Sequence, residues 1–365
     1  MKLINGRVHL ALLGLCSISY YIEVRAIAHV CIADRINNGD PLFLLFTHIL
    51  PWLLLYPIAL VYYRLKDDIP FAESLRNTKQ TCTMGDAASN QRFQSINSVL
   101  KLVTLSTLLI ISMYSFMTAL SIAPVFDVAI IHNTSMLEII VLFATVAGVA
   151  TNNMRSLAKR FISIFNALIG IVLVAYFNAS SDLLSGKFSI NPSTGESSDP
   201  FLFDRLKASL ICGLGSLFIG PYVFLLERWC INTSRQITGS GRWLKMYAWF
   251  SAIGLTSILM LSVVSLYSGG FKYMFHMCGS ITRSPWFLLS MICGKLPTVM
   301  GSAHLIMSDS IESLTLLPIL RIIVVWLGQW CIEAENRILT LGEVVGFLML
   351  VISFVIMFIS HSRKG

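Results

Sequence analysis

Apolar residues are grouped into ten long runs separated by polar segments, and this grouping is the dominant pattern of the chain. Each run is close to the about 20 residues that an α-helix needs to cross the roughly 30 Å hydrocarbon core of a bilayer. The pattern therefore predicts an all-α membrane protein with ten transmembrane helices. The runs cover residues 8–30, 42–63, 101–122, 126–149, 158–178, 206–226, 244–267, 286–307, 313–332 and 341–360.

Two polar segments organise these runs into a longer architecture. Residues 65–99 are rich in Ser, Thr, Asn and both charge signs, which predicts a cytosolic loop within the first half. Residues 179–204 separate runs five and six, and we expect them to face the lumen. Because each half has five crossings, an odd number, the second half must be inverted relative to the first, as in many transporters. The predicted repeats are residues 1–178 and 205–365.

Small residues in three of the runs predict close contacts between helices. Runs five and ten each carry one early glycine, which is weak support for a repeat. Run six carries two small-x-x-x-small pairs, a spacing that lets helix backbones approach closely in membranes. A Gly-Pro pair in the same run predicts a kink. The residues concerned are Gly170 and Gly346, the pairs Ser209/Gly213 and Ser216/Gly220, and Pro221.

Composition and charge agree with a membrane protein and set its orientation. Hydrophobic residues make up 55 % of the chain and charged residues 13 %, about half of the charged content of a soluble domain. If the N-terminus is cytosolic, 17 of the 27 Lys and Arg residues fall in cytosolic segments. Since positive residues stay cytosolic during insertion, we expect both termini in the cytosol. The net charge of +8 forms no single basic patch, so no nucleic-acid partner is predicted.

Polar residues within the predicted spans are candidates for a functional site, because ionisable groups there cost at least about 2.5 kcal/mol each on insertion scales. Asp127, Thr134 and Glu138 share one helical face of run four, while Lys295 and Arg321 lie in runs eight and nine. Three interpretations remain open: a substrate cavity between the halves, a structural ion pair of Glu138 with Arg321, and a polar surface that binds another membrane protein.

The lumenal segment offers oxygen ligands of the kind that Ca²⁺ prefers. Asp182, Asn191, Glu196, Asp199 and Asp204 carry them, but their spacing does not fit the EF-hand loop. Calcium is therefore a weak expectation, and no other cofactor or metal is expected. The sequence also has no nucleophile–histidine–acid order, phosphate-binding loop or metal-binding acid pair, so we do not expect an enzyme.

Longer blocks of sequence resemble one known family. They read NPSTGE at 191–196, SDPFLFDRLK at 198–207, LICGLG at 210–215 and ALSIAPVFDVA at 119–129. In these blocks the chain is similar, almost residue for residue, to the regulatory subunits of fungal mannosyl-inositol-phosphoryl-ceramide synthase. The wider likeness is to the drug/metabolite transporter superfamily, whose ten-helix inverted-repeat fold agrees with the organisation above.

The resemblance implies a non-catalytic role in sphingolipid metabolism. Members of the family reside in the endoplasmic reticulum membrane and form a heterodimer with a catalytic mannosyltransferase, which transfers mannose from GDP-mannose to inositol-phosphoryl-ceramide. They are also linked to calcium homeostasis. The family blocks place candidate residues for contact with that partner in the lumenal segment and at the start of run six: Asn191, Glu196, Asp199, Asp204 and Arg205.

Two alternatives remain beside the regulatory role. The chain could be a transporter of the same superfamily, carrying a nucleotide sugar, a lipid precursor or a cation through a cavity lined by Glu138, Lys295 and Arg321. It could also be a scaffold that binds the membrane lipid substrate in a groove and presents it to the enzyme.

Overall fold

Helices account for nearly all of the described structure. The computed structural model describes residues 2–34, 41–67, 91–123, 127–137, 162–163, 165–171, 173, 200–231, 234, 241–283, 285–308, 316–333 and 341–362. No strand occurs within these ranges. The prediction of an all-α chain is therefore confirmed for the described part.

Ten helices, α1 to α10, follow one another in the described ranges. The first five are α1 Lys2–Asp34, α2 Pro41–Asp67, α3 Gln91–Ile122, α4 with residues 127–137 and α5 with residues 165–171. Helix α6 comprises Pro200–Ser216, Ile219–Leu226 and a π-helical turn at Glu227–Ile231. Helix α7 spans Gly241–Arg283, and α8 comprises Pro285–Leu289, a π-helical turn at Ser290–Lys295, and Leu296–Ser308. The last two are α9 Leu316–Glu333 and α10 Leu341–Ser362.

Six helical stretches in the described residues are long and apolar enough to cross a membrane, so the chain is a multi-pass membrane protein. A further apolar stretch, Leu316–Cys331, is shorter. The ten crossings and their division into inverted repeats stay predictions, because parts of the runs lie outside the described residues. The six stretches are Val8–His29, Pro41–Leu65, Asn97–Ile122, Lys207–Ile231, Gly241–Tyr267 and Leu341–Ile359.

Apolar side chains form exposed stripes on the outside of the helix bundle. On α7, Leu255, Leu259 and Val263 are all at least half exposed and recur every four residues. This spacing puts them on one helical face, turned away from the protein. Such a face is stable in contact with lipid chains, whereas water would disfavour it.

The helices pack in a pattern of specific pairs. Helix α1 packs along α8 and α9, α6 packs along α3, and α2 packs along α7. Helix α5 and the residues just before it are held to α10 by polar contacts: Asn166 Nδ2 donates to Met349 O at 3.0 Å, and Ser163 Oγ donates to Ser353 O at 2.9 Å. At the crossing of α5 and α10, Gly170 faces the backbone of Gly346.

Helix α6 is interrupted just before the predicted kink. The break lies at residues 217–218, and Phe218 N–H donates to Gly215 O at 3.2 Å across it. Pro221 lies in the first turn after the break and has no N–H to continue the α-helical bonding. The close approach predicted at Gly213 does not occur among the described residues, because a Cβ there would meet none of their atoms within 4 Å. Instead Gly215 contacts Ser115 of α3, since it lies on the face that is turned toward that helix.

The contact of α5 with α10 should depend on the absence of a side chain at Gly170. A Cβ at this position would lie 2.8 Å from Gly346 O, a backbone atom that cannot move independently. We expect Gly170→Ala to lower the unfolding midpoint of the purified protein in detergent, by several degrees. Gly14→Ala is the matched control, because a Cβ at Gly14 would meet no described atom within 4 Å. The higher helix propensity of alanine should therefore leave the midpoint unchanged or raise it. Equal midpoints for the two variants would contradict the packing of α5 on α10.

Candidate functional site

A cavity of about 120 Å³ lies between the helices of the bundle. Eight of the ten helices contribute to its lining, and no described residue of α5 or α10 does. Apolar and aromatic side chains form much of the wall, among them Trp52, Phe116 and Phe250. The polar side chains that line it are Tyr20, His48, Ser112, His132, Tyr222, Lys295, Thr298, Ser302 and Arg321.

Three buried side chains form a charged chain at one end of this cavity. Glu23 Oε1 of α1 lies 2.5 Å from His48 Nδ1 of α2 and 3.8 Å from Lys295 Nζ of α8. Lys295 Nζ also contacts His48 Nε2. Because an ammonium group can only donate, His48 Nε2 must accept in this contact. The imidazole of His48 is therefore neutral and bridges the two charges.

The charged chain depends on a close approach of α8 to α1. Gly294 lies in the π-helical turn and faces Glu23, and a Cβ there would lie 2.7 Å from Glu23 Cβ and 2.8 Å from Glu23 Cα. Any side chain at this position would push the two helices apart. Gly301, two turns further along α8, faces Cys16 of α1 in the same way. A small-residue face on α8 thus brings Lys295 next to Glu23.

Arg321 of α9 provides a second positive charge on the cavity wall. Its Cζ lies 4.7 Å from the ring centroid of Tyr20, a cation–π contact. The Tyr20 hydroxyl accepts a hydrogen bond from Asn133 Nδ2 of α4 at 3.1 Å. Asn133 Nδ2 also donates to Ala129 O at 2.7 Å, which holds the amide against its own helix. These contacts fix the ring on which the guanidinium rests.

The two predicted cations lie in the site, while the predicted acids do not. Lys295 and Arg321 line the cavity. Thr134 is half-buried and donates to Ile130 O of its own helix at 2.7 Å. Asp127 is half-buried at the start of the helical part of α4 and does not line the cavity. Glu138 lies outside the described residues, so its predicted pairing with Arg321 stays a prediction.

The lumenal candidates fall largely outside the described structure. Asp182, Asn191, Glu196 and Asp199 belong to a segment beyond the described ranges. Asp204 and Arg205 lie in the first turns of α6. In the described ranges, no group of three or more His, Cys, Asp or Glu residues could hold a metal ion.

Glu23, the acid of the site, and His48 are not among the residues predicted from the sequence. A carboxylate in an apolar run was nevertheless a signal, because an acid in a span needs a partner or water. On α4, His132 and Met136 lie on the face that lines the cavity, whereas Asp127 and Thr134 lie on a different face of the helix.

The pairing of Glu23 with Lys295 yields a test of the site's electrostatics. Glu23→Gln leaves a buried cation without its counter-charge, and breaking such a pair costs about 3–5 kcal/mol. We expect a clear fall in the unfolding midpoint of the purified protein. In the double variant Glu23→Gln/Lys295→Met both charges are absent, and most of the loss should be recovered. If the double variant were less stable than Glu23→Gln, the two charges would not stabilise each other.

Comparisons with known proteins agree with the resemblance seen in the sequence. Residues 71–361 match the family model CSG2, described as ceramide synthase regulator. A protein of Saccharomyces cerevisiae, mannosyl phosphorylinositol ceramide synthase regulatory protein CSG2, is 29 % identical over 374 residues. The alignment covers 89 % of this chain and 88 % of the yeast protein. Since the family match extends over well more than half of the sequence, including α3 and α6 to α10, the chain belongs to the CSG2 family of ceramide synthase regulators.

Proposed function

We propose that the chain is a non-catalytic regulatory subunit of mannosyl-inositol-phosphoryl-ceramide synthase. The observation that carries this proposal is the likeness to the yeast regulatory protein over nearly the full length of both chains. In this role the protein resides in the endoplasmic reticulum membrane, with both termini in the cytosol. It binds a catalytic mannosyltransferase as a heterodimer and supports its activity or stability.

The helix pairs support an architecture of two inverted five-helix units. Each helix of one unit can be exchanged for the helix at the same place in the other unit, so that α1 exchanges with α6 and α3 with α8. This exchange converts the contact of α1 with α8 into the contact of α6 with α3. The same exchange maps the pairs α2–α7 and α5–α10 onto themselves. A pseudo-twofold relation between two halves has this property, and it is the arrangement of inverted-repeat transporters. The drug/metabolite transporter fold is part of this proposal.

The lumenal segment 179–204 and the start of α6 are the proposed contact with the mannosyltransferase. The segment carries acidic and amide side chains, and it lies between the two proposed units. A link to calcium homeostasis fits this role indirectly, through unmannosylated sphingolipid that accumulates. Direct binding of Ca²⁺ by Asp182, Glu196 and Asp199 is the weaker form of the proposal.

A transporter is the second candidate function, and the buried cavity favours it. A mainly apolar cavity surrounded by eight helices, with two cations on its wall, resembles a substrate site more than a purely structural core. The candidate substrates are a nucleotide sugar, a lipid precursor or a cation. Because Lys295 and Arg321 would repel a cation, an anionic substrate fits the described wall better.

Lipid analysis in yeast tests the regulatory role. We expect cells that lack CSG2 to lose mannosylated inositol-phosphoryl-ceramide and to accumulate the unmannosylated precursor, and expression of this chain should restore the mannosylated lipid. The measurement is mass spectrometry of extracted sphingolipids. If the chain is made at normal levels and inserted, yet restores nothing, the proposed function is wrong.

The contact with the enzyme is tested by co-purification. We expect Glu196→Ala/Asp199→Ala to reduce recovery of the mannosyltransferase on this chain by severalfold, because it removes both acids of the proposed lumenal contact. Asp67→Ala/Asp68→Ala is the matched control, since it removes two acids from the predicted cytosolic side. Undiminished recovery with the lumenal variant, or an equal loss with both, would rule out this contact.

Flux into liposomes separates the two functions. For a regulatory subunit we expect the reconstituted protein to carry radiolabelled GDP-mannose or Ca²⁺ no faster than protein-free liposomes. Saturable flux that Arg321→Gln abolishes would establish transport instead.

A further inference from the structure

Four buried hydrogen-bond donors on the cavity wall have no acceptor among the described residues. They are Trp52 Nε1, Ser112 Oγ, Tyr222 Oη and Arg321 Nε. Each of these side chains is at most 8 % exposed, and all four line the same space. Buried polar groups are nearly always hydrogen-bonded. Four such donors around one cavity therefore indicate acceptors that a bound molecule supplies.

The charges on the wall add a second, independent indication. The charge of Lys295 is balanced by Glu23, and His48 between them is neutral. Arg321 rests on the ring of Tyr20 and forms no ion pair with a carboxylate in the described ranges. A buried cation requires a counter-charge. Water could satisfy the four donors, but only an anion also neutralises Arg321.

We propose that the cavity binds the phosphoryl group of a phosphate ester, with Arg321 as its main counter-charge. The donors come from α2, α3, α6 and α9, so they approach from several walls. A tetrahedral phosphate accepts hydrogen bonds in several directions, whereas a carboxylate presents two oxygens in one plane. Arginine is also well suited to phosphate, because its planar fork donates two parallel hydrogen bonds.

The rest of the wall fits an organic substituent on the phosphate. Phe116, Phe250 and Leu109 line the cavity beside the donors, so a purely hydrophilic ion would leave apolar surface uncovered. The space of about 120 Å³ is far more than the about 15 Å³ that one water needs. Under the proposed function, the phosphate ester is a lipid with a phosphorylinositol headgroup. Only this choice of lipid rests on the proposed function.

Thermal unfolding of the purified full chain in detergent tests the binding itself. The probes are inorganic phosphate, dioctanoyl phosphatidylinositol, and dioctanoylglycerol as the lipid without a phosphate. A ligand that binds only the folded protein raises the unfolding midpoint with concentration. We expect a saturable rise with phosphatidylinositol and none with dioctanoylglycerol. A rise with inorganic phosphate of the same size would support the site and assign it to free phosphate.

Matched serine variants assign the site to this cavity. Ser112 and Ser257 are both buried with hydroxyls that lack a partner in the described structure, but only Ser112 lines the cavity. We expect Ser112→Ala to raise the apparent Kd about tenfold, since a hydrogen bond to a charged group is lost. Ser257→Ala should leave the Kd unchanged. Arg321→Gln should raise it by at least about thirtyfold, and the serine pair keeps the test valid if that variant does not fold.

The same measurements can overturn the inference. It is wrong if neither phosphate probe shifts the midpoint, if dioctanoylglycerol shifts it as much as phosphatidylinositol, or if the two serine variants lose affinity equally. A shift that appears only with Glu138→Gln would assign Glu138 as the counter-charge of Arg321 and would also overturn it. None of these readouts involves mannosylation, so they are independent of the lipid analysis in yeast.

Discussion

The cost of holding charge in an apolar medium shapes the centre of this protein. Glu23 and Lys295 lie deep in the helix bundle, and each is stable there only because the other is close. Neutral His48 lies between them, with Nδ1 close to Glu23 and Nε2 in contact with Lys295. The charged chain of Glu23, His48 and Lys295 connects the consecutive helices α1 and α2 to α8, which is distant from them in sequence. The positions of these helices in turn define the cavity wall on which Arg321 and the unpaired donors lie.

The sequence was informative about elements and less so about contacts. Apolar runs predicted the helices because the length of a membrane helix is set by the bilayer. Lys295 and Arg321 were identified because charges in such runs are rare. The partner of Lys295 was not, since pairing depends on which helices meet, and Gly294 allows that approach through a contact with Glu23 that no local pattern reveals. Gly213 shows the same limit: its spacing was right for packing, but its face is open.

In a regulatory protein, a mainly apolar cavity with a few buried polar groups on its wall requires an explanation. Structural ion pairs in lipid can be compact and fully paired, and the Glu23–Lys295 pair is of this kind. Arg321 and the other three unpaired donors are not, because they surround a space rather than each other. A transporter-like core could thus have been retained for recognition, with ligand occupancy affecting the stability of the subunit. Regulation of an enzyme by the supply of its lipid would then need no flux.

The π-helical turn Ser290–Lys295 also affects how related sequences should be read. In a π-helical turn, a backbone N–H donates to the carbonyl five residues earlier instead of four. Such a turn is equivalent to one additional residue inserted in an otherwise α-helical segment. Positions after the turn are therefore offset by about 100° from where uninterrupted periodicity would put them. A helical wheel drawn straight through α8 would assign Thr298 and Ser302 to the wrong side. Relatives that differ by a single insertion or deletion here should show a corresponding rotation of their hydrophobic pattern downstream.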